Sequence, residues 1–208
     1  MFLELASATD DRVAEQQACL KLKSVFEAVF YPTYRTRLIR GGDEPLYLPA
    51  ASADEDHQII YARGFLNSAL HEIAHWCVAG PERRLLEDYG YWYCPDGRSL
   101  TQQRAFEQVE IRPQAFEQCL TLALGRPFRI SADNLSGDPG DTRAFELAVH
   151  QQTRRLLEEQ EPMPLRLGQL LQALCAAWRR PISSWRAAAI LHLKQREQAL
   201  LAAVTEPV

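Results

Sequence analysis

Apolar side chains recur at helical spacing in six stretches of this chain. These stretches lie at about residues 10–30, 64–79, 101–124, 142–159, 164–179 and 183–204. The first carries an apolar stripe through Leu22, Phe26 and Phe30. Pro32 is expected to close that helix, because proline cannot continue the hydrogen-bond ladder. The pattern therefore predicts a chain built mainly from amphipathic helices.

Strand patterns are fewer and shorter. Residues 34–49 predict two short strands separated by a turn at Gly41 and Gly42. Residues 58–62 predict a third strand, which leads directly into the helix at 64–79. A chain of 208 residues, 47% of them hydrophobic, can bury one core but is too short for two comfortable domains. We therefore expect a single domain over residues 1–208, with a small sheet packed by helices.

The helix at 64–79 carries the sequence His71-Glu72-x-x-His75. Two imidazoles four residues apart stand one above the other on a helix, so both can bind one metal ion. A neighbouring stripe is apolar and should face the core: Leu66, Leu70, Ile73 and Cys77. Gly80 and Pro81 are expected to stop the helix, with Gly80 in a left-handed cap. Hydrogen-bonded core histidines are the alternative to a metal site.

The motif by itself leaves the metal and the reaction open. Zinc in such a site activates water for hydrolysis, with Glu72 as the general base. Iron held by two histidines and one carboxylate leaves positions open for oxygen chemistry. Both interpretations predict that His71 and His75 are metal ligands. Glu72 is the predicted catalytic residue: the base in a hydrolase, and in an oxygen-using enzyme a residue that supports the metal ligands or binds an ammonium group of the substrate.

The helix at 101–124 has an unusual polar face. Carboxylates and amides recur on it at spacings of four and three: Gln103, Glu107, Glu110, Gln114 and Glu117. Thr101 is expected to open this helix, and its other side is expected to be apolar: Phe106, Val109, Phe116 and Leu120. A solvated face would explain the polar column. A metal held by only two histidines, however, needs a further protein ligand, and a carboxylate of this helix is the natural supplier.

We predict Glu110 rather than Glu107 as that ligand. Glu110 lies just before the bend expected at Pro113, where a distorted backbone can aim a side chain into a cleft. Glu107 and Gln114 are then expected to contact the substrate or to support the site. Tyr91 and Tyr93 lie in the aromatic segment after the helix at 64–79. They are predicted to line a substrate cleft, although packing in the core would also explain them.

Charge and composition exclude several classes of protein. The net charge of −4 and the absence of basic runs argue against a nucleic-acid partner. No glycine-rich phosphate motif occurs, so no nucleotide cofactor is expected. Five cysteines without a Cys-x-x-Cys pair suit buried thiols in a reducing compartment, and the cytoplasm is predicted. No signal sequence or membrane-spanning stretch is apparent, so no membrane association is expected.

Six blocks of this sequence are distinctive: RLIRGGDEPLYLPA at 37–50, Gly64 with Phe65, HEIAHWCVAG at 71–80, DYGYWYCPDGR at 88–98, FEQVEIRPQA at 106–115 and DNLSGD at 133–138. Together they resemble the bacterial elongation factor P hydroxylases. The resemblance covers roughly residues 20–180. The segment 183–208 lies beyond it and is expected to be a C-terminal helical extension.

The resemblance implies an enzyme that hydroxylates the β-lysylated lysine of elongation factor P. It implies an α+β fold with a metallopeptidase-like active-site helix, and it matches His71 and His75 to the metal-binding histidines. A glutamate of the block 106–110 matches their carboxylate partner. Fe(II) is the expected metal and molecular oxygen the co-substrate, because zinc has no redox chemistry, although a purified sample could contain zinc or another divalent metal.

Two other classes of protein remain as alternatives. A zinc metallopeptidase would use the same histidines, with Glu72 moving a proton from the metal-bound water to the leaving amine. A non-catalytic protein with a structural metal is disfavoured, because closed structural sites usually have four protein ligands, often thiolates.

Overall fold

The computed structural model describes residues 2–90, 97–132 and 140–205. The chain divides into two compact units, Met1–Gly90 and Tyr91–Val208. Six α-helices and a mixed three-stranded sheet occur in the described ranges, which confirms the α+β class. Within those ranges every helix is too short or too polar to cross a membrane. The expectation that residues 1–208 form one domain stays a prediction.

The first unit contains the whole sheet. Its elements are α1 (Phe2–Tyr34), β1 (Thr36–Arg40), β2 (Leu46–Leu48), β3 (His57–Tyr61) and α2 (Leu66–Val78). The strand order is β1-β3-β2, with β1 parallel and β2 antiparallel to β3. The two strands predicted around Gly41 and Gly42 are therefore present, but β3 lies between them. Leu38 of β1 and Ile59 of β3 are register partners, and both are fully buried.

Helix α1 does not end at Pro32, as the sequence pattern predicted, but continues to Tyr34. A proline in the last turn removes one ladder hydrogen bond, and tertiary packing can offset that loss. The packing comes from Trp76 of α2, whose ring lies 5.4 Å from Phe26, 4.9 Å from Phe30 and 5.3 Å from Tyr34. This aromatic cluster holds the end of α1 against the helix that carries the two histidines.

The second unit is helical. Its helices are α3 (Leu100–Ala123), α4 (Arg143–Leu157), α5 (Leu165–Ala177) and α6 (Ile182–Thr205). Helix α3 packs on α4 and α5, and α6 packs on α4 and α5. The side chains of Trp185, Ala189 and Leu193 in α6 are buried. The predicted C-terminal extension therefore begins with a packed helix.

Two details of α3 differ from the expectations. Ser99, not Thr101, is the N-cap, and it forms a reciprocal capping box with Gln102. Val109 was expected in the core, but 52% of its surface is exposed. Val109 lies on the solvent-exposed side of the helix, because the polar column occupies the neighbouring face, which is buried. The helix continues through Pro113, and the bend expected there stays a prediction.

Candidate metal centre

The start of α2 is anchored by side chains from α1 and by its own first turn. Glu15 of α1 accepts a hydrogen bond from the Leu66 N–H at 2.9 Å, and the Cys19 thiol donates to the Gly64 carbonyl at 3.2 Å. Ser68 accepts a hydrogen bond from the Ala62 N–H at 2.9 Å. The sequence did not reveal the role of Glu15, since a helix cap supplied across 51 positions has no local signature. These contacts fix where the helix enters after β3.

Helix α2 separates a core stripe from a chemical stripe, as predicted. The four residues of the predicted apolar stripe are buried, whereas His71, Glu72 and His75 are half-buried. The helix ends at Val78 with Ala79 in an extended conformation. The predicted end is therefore correct, but Gly80 is not among the glycines in the left-handed region, so the expected glycine cap is wrong. The chain turns away one residue earlier, at Ala79.

The Nε2 atoms of His71 and His75 lie 3.1 Å apart. Their ring centroids are 4.6 Å apart and the ring planes are inclined by 65°. Two metal–nitrogen bonds of about 2.0–2.1 Å meeting at about 90–110° separate the nitrogens by about 2.8–3.4 Å. The two rings thus present their Nε2 atoms at the spacing that one shared ion requires.

Tyr89 lies in the turn that follows this helix and packs against Tyr47 of β2. Its side chain is 4% exposed, and its ring stacks on Tyr47 with a centroid distance of 4.3 Å. Burial, and then the charge of Glu72, raise the pKa of Tyr89 well above its ordinary value. Tyr89 was seen in the sequence only as part of the aromatic segment. Tyr91 and Tyr93, the predicted cleft residues, lie outside the described residues.

The polar column of α3 is largely buried rather than solvated. Glu110 is 1% exposed and Gln114 is fully buried, while Glu107 is half-buried. Gln114 Nε2 lies 3.5 Å from a carboxylate oxygen of Glu110, and Gln103 Nε2 donates to Glu107 at 3.3 Å. A buried carboxylate costs free energy unless hydrogen bonds or a cation compensate it. A solvated surface therefore does not explain this polar face, and its buried carboxylate needs hydrogen bonds or a cation.

A backbone segment is fastened along the same face. Gln114 Oε1 accepts a hydrogen bond from the Ser131 N–H at 3.0 Å, and its Nε2 donates to the Ser131 carbonyl at 2.7 Å. The Ala132 carbonyl accepts from Gln103 at 3.0 Å and from Arg98 at 3.2 Å. Arg98 is itself buried, with its guanidinium 3.9 Å from the ring centroid of Phe106. Sequence reasoning missed Arg98 and Ser131, because amide-to-backbone pairing leaves no periodic pattern.

The other three histidines, His57, His150 and His192, are either hydrogen-bonded within the fold or exposed on its surface. His57 Nδ1 accepts a hydrogen bond from the Ala50 N–H at 3.0 Å, and burial lowers its pKa. His150 is buried beside Gln118, with 2.9 Å between the amide nitrogen and Nδ1, and His192 is exposed on α6. Four cysteines among the described residues are buried: Cys19, Cys77, Cys119 and Cys175. Cys94 lies outside the described residues.

A family model for elongation factor P hydroxylases matches residues 25–188. The chain belongs to this family. A protein of Haemophilus influenzae named elongation factor P lysine hydroxylase is 53% identical over 153 residues, which are 74% of this chain and 85% of the relative. Membership of the hydroxylase family makes the chain an enzyme and confirms the resemblance found in the sequence. The matched range contains α2 and α3 in full, and it leaves residues 1–24 and 189–208 outside.

Proposed function

We propose that this protein hydroxylates the β-lysylated lysine of elongation factor P in the cytoplasm, using Fe(II) and molecular oxygen. The observation that carries the proposal is the pair of His71 and His75 nitrogens, 3.1 Å apart, on a helix inside the range that matches the hydroxylase family. The name of the Haemophilus influenzae relative supports lysine as the target residue and elongation factor P as the substrate. The β-lysyl group rests on the resemblance found in the sequence.

The metal would be held by His71, His75 and Glu110. His71 and His75 present two nitrogen donors 3.1 Å apart, and Glu110 is a buried carboxylate of the block 106–110, which resembles the block that carries the carboxylate ligand in the family. Two imidazole nitrogens and one carboxylate oxygen fit Fe(II), for which this set is a common one, and they also fit zinc. Bound Fe(II) would supply the redox chemistry that inserting oxygen into a C–H bond requires, and zinc lacks that chemistry.

Burial supports Glu110 over Glu107 as the carboxylate ligand. A carboxylate that is 1% exposed gains more from a nearby cation than one that water still reaches. Glu107 is half-buried and receives a hydrogen bond from Gln103, which suits a contact to a polar or cationic substrate. Both polar atoms of the Gln114 amide are hydrogen-bonded to the backbone of Ser131. We therefore assign Gln114 to holding residues 131–132 in place rather than to contacting the substrate.

Glu72 would act on the substrate rather than on the metal. It follows His71 directly and its half-buried carboxylate can receive the ammonium group of a long amine side chain. A carboxylate–ammonium contact orients the substrate, which is the usual way a protein raises the rate of a reaction whose chemistry belongs to its cofactor. Tyr91 and Tyr93 remain predicted walls of the cleft for the aliphatic part of that side chain.

Mass spectrometry of elongation factor P tests the proposal directly. The β-lysylated and unmodified forms are incubated with Fe(II)-loaded protein and a reductant, in air and without oxygen. We expect a gain of one oxygen atom only on the β-lysylated form and only in air. The His71→Ala variant is the matched control and should give no product. Cleavage of a peptide substrate without oxygen would instead establish the zinc metallopeptidase.

A further inference from the structure

A cleft of about 500 Å³ lies between α3 and the start of α4, inside the second unit. Its volume is within the range of about 300–1,000 Å³ that is usual for ligand sites in proteins. Part of its lining is apolar and comes from Ile111 of α3 and from Phe145 and Ala148 of α4. Its polar lining includes Glu107, which lies three residues before the proposed metal ligand Glu110 on the same helix. The cleft therefore suits a ligand with an aliphatic chain and a polar end.

The charges along the cleft indicate which polar end it can take. Among the described residues no cation forms an ion pair with Glu107, whereas Asp141, the other carboxylate of the lining, is paired with Arg143 at 2.7 Å. Arg104 also lines the cleft, but it is exposed, so water screens its charge. A half-buried carboxylate has lost part of its hydration and gains from a cation that replaces the water. An ammonium group on an aliphatic chain fits both the apolar wall and Glu107.

A buried amide one turn earlier holds the Glu107 carboxylate. Gln103 Nε2 donates to Glu107 Oε1 at 3.3 Å and to the Ala132 carbonyl at 3.0 Å, and Gln103 is only 1% exposed. An amide nitrogen has two hydrogens, so both are used by these contacts. One oxygen of Glu107 is thus fixed from inside the unit, and the contact leaves the second oxygen for a ligand.

Arg98 determines which way round the Gln103 amide lies. Its Nε donates to Gln103 Oε1 at 3.1 Å, and its Nη2 donates to the Ala132 carbonyl at 3.2 Å. Because a guanidinium group can only donate, the amide oxygen must face Arg98 and the amide nitrogen must face Glu107. A reversed amide would place its oxygen against the carboxylate and its nitrogen against the guanidinium. The orientation that serves Glu107 is therefore fixed by a buried cation.

We propose that Gln103, oriented by Arg98, is a positioning residue that holds the Glu107 carboxylate toward this cleft, where Glu107 receives an amino group of the β-lysyl side chain. The methylene groups of that side chain would lie along the apolar lining. This inference rests on the proposed function, because it takes the β-lysylated lysine as the ligand. A β-lysyl group carries two amino groups, so the assignment is compatible with the ammonium contact proposed for Glu72.

The test compares how strongly single and double variants prefer the β-lysylated substrate. Binding of β-lysylated and of unmodified elongation factor P is measured by calorimetry without oxygen, for wild type and for Gln103→Met, each also in a Glu107→Gln background. Gln103→Met removes the donor at similar volume, and we expect it to keep the metal and to reduce the preference for the β-lysylated form about fivefold. In the Glu107→Gln background the same change should alter the preference less than about twofold, because both residues serve one contact.

Gln118→Met is the matched control. Gln118 is another buried amide of α3, but it accepts a hydrogen bond from the Thr153 hydroxyl at 2.7 Å and lies 2.9 Å from His150 Nδ1. We expect both methionine variants to lower the unfolding temperature, because each leaves buried polar groups unpaired. Only Gln103→Met should change the preference between the two substrate forms. A merely structural role of Gln103 would weaken the binding of both forms equally.

Three results would overturn the inference. One is an unchanged preference in Gln103→Met while wild type hydroxylates its substrate in air, which would leave the proposed function intact. Another is an equal loss of preference in both backgrounds, which would show that Gln103 acts independently of Glu107. If Gln103→Met does not fold, Gln103→Asn takes its place, since it keeps an amide that is one methylene group too short to reach Glu107. Failure of both to fold is the third result, because Gln103 would then serve the fold alone. A wild type that neither prefers nor hydroxylates the β-lysylated form would instead refute the proposed function, and this inference with it.

Discussion

His71 and His75 share one face of α2, and the 3.1 Å between their Nε2 atoms places two nitrogen donors where a single ion can bridge them. The helix that carries them is held in the core of its unit, because Ala74 and Trp76 beside them are fully buried. Preorganised ligands lose little conformational freedom on binding, so metal should bind to the folded protein without rearranging the helix. This relationship leads to the first prediction.

Metal should raise the unfolding temperature of the protein. A ligand that binds only the folded state at about 100 times its dissociation constant stabilises it by about 2.7 kcal/mol. For a chain of this size that corresponds to a rise of roughly 5–10 °C. Differential scanning fluorimetry of chelator-treated protein with added Fe(II) or zinc measures the shift. His75→Ala should abolish it, while His192→Ala, which alters an exposed histidine of α6, should retain it.

Glu110→Ala should strip much of the metal and all of the hydroxylation, because it removes the proposed carboxylate ligand. Glu107→Ala should keep most of the metal and weaken substrate affinity or rate. The two residues lie about one turn apart on the same helix, so each variant is a control for the other. Elemental analysis after desalting gives the metal content. Loss of metal from the Glu107 variant and its retention in the Glu110 variant would reverse the assignment.

The Glu15 cap on α2 should contribute to stability. Glu15→Ala removes the acceptor of the Leu66 N–H and should lower the free energy of unfolding by about 1 kcal/mol, the usual value of an N-terminal cap. Glu15→Gln retains an acceptor oxygen and should lose less. Urea denaturation of the metal-free protein measures both. Equal stability of all three proteins would show that water replaces the Glu15 oxygen without loss.

Stability should fall in mild acid because of His150. Burial lowers the pKa of this imidazole, and the nearby Glu146 carboxylate offsets only part of that effect. The folded state therefore favours neutral His150, so this contribution is complete above the ordinary histidine pKa of about 6.5 and is lost as pH falls through the lowered value. Urea denaturation between pH 8 and pH 5 should show the loss. His150→Gln should reduce this pH dependence, and an unchanged slope would contradict the assignment.

Local sequence patterns were sufficient to predict the helices and most of the candidate site residues. The period of the apolar residues gave the positions of five helices within a few residues, because that period is a property of each segment alone, whereas α1 begins at Phe2, well before the predicted start at about residue 10. The motif around His71 and His75 was identified in the same way, since ligands four residues apart on a helix are adjacent whatever the rest of the fold does. The polar column of α3 was also visible as a spacing.

Tertiary packing decided what the spacing left open. Packing of the aromatic rings around Trp76 stabilises α1 beyond Pro32. Packing also buries most side chains of the polar column on α3, which the spacing alone could have placed in solvent. It supplied Glu15 to the start of α2, and it stacked the ring of Tyr89 on that of Tyr47. None of these contacts has a sequence period, because each joins segments that only the folded chain brings together. Burial and partner choice are properties of the packed structure, whereas helical phase belongs to the sequence itself.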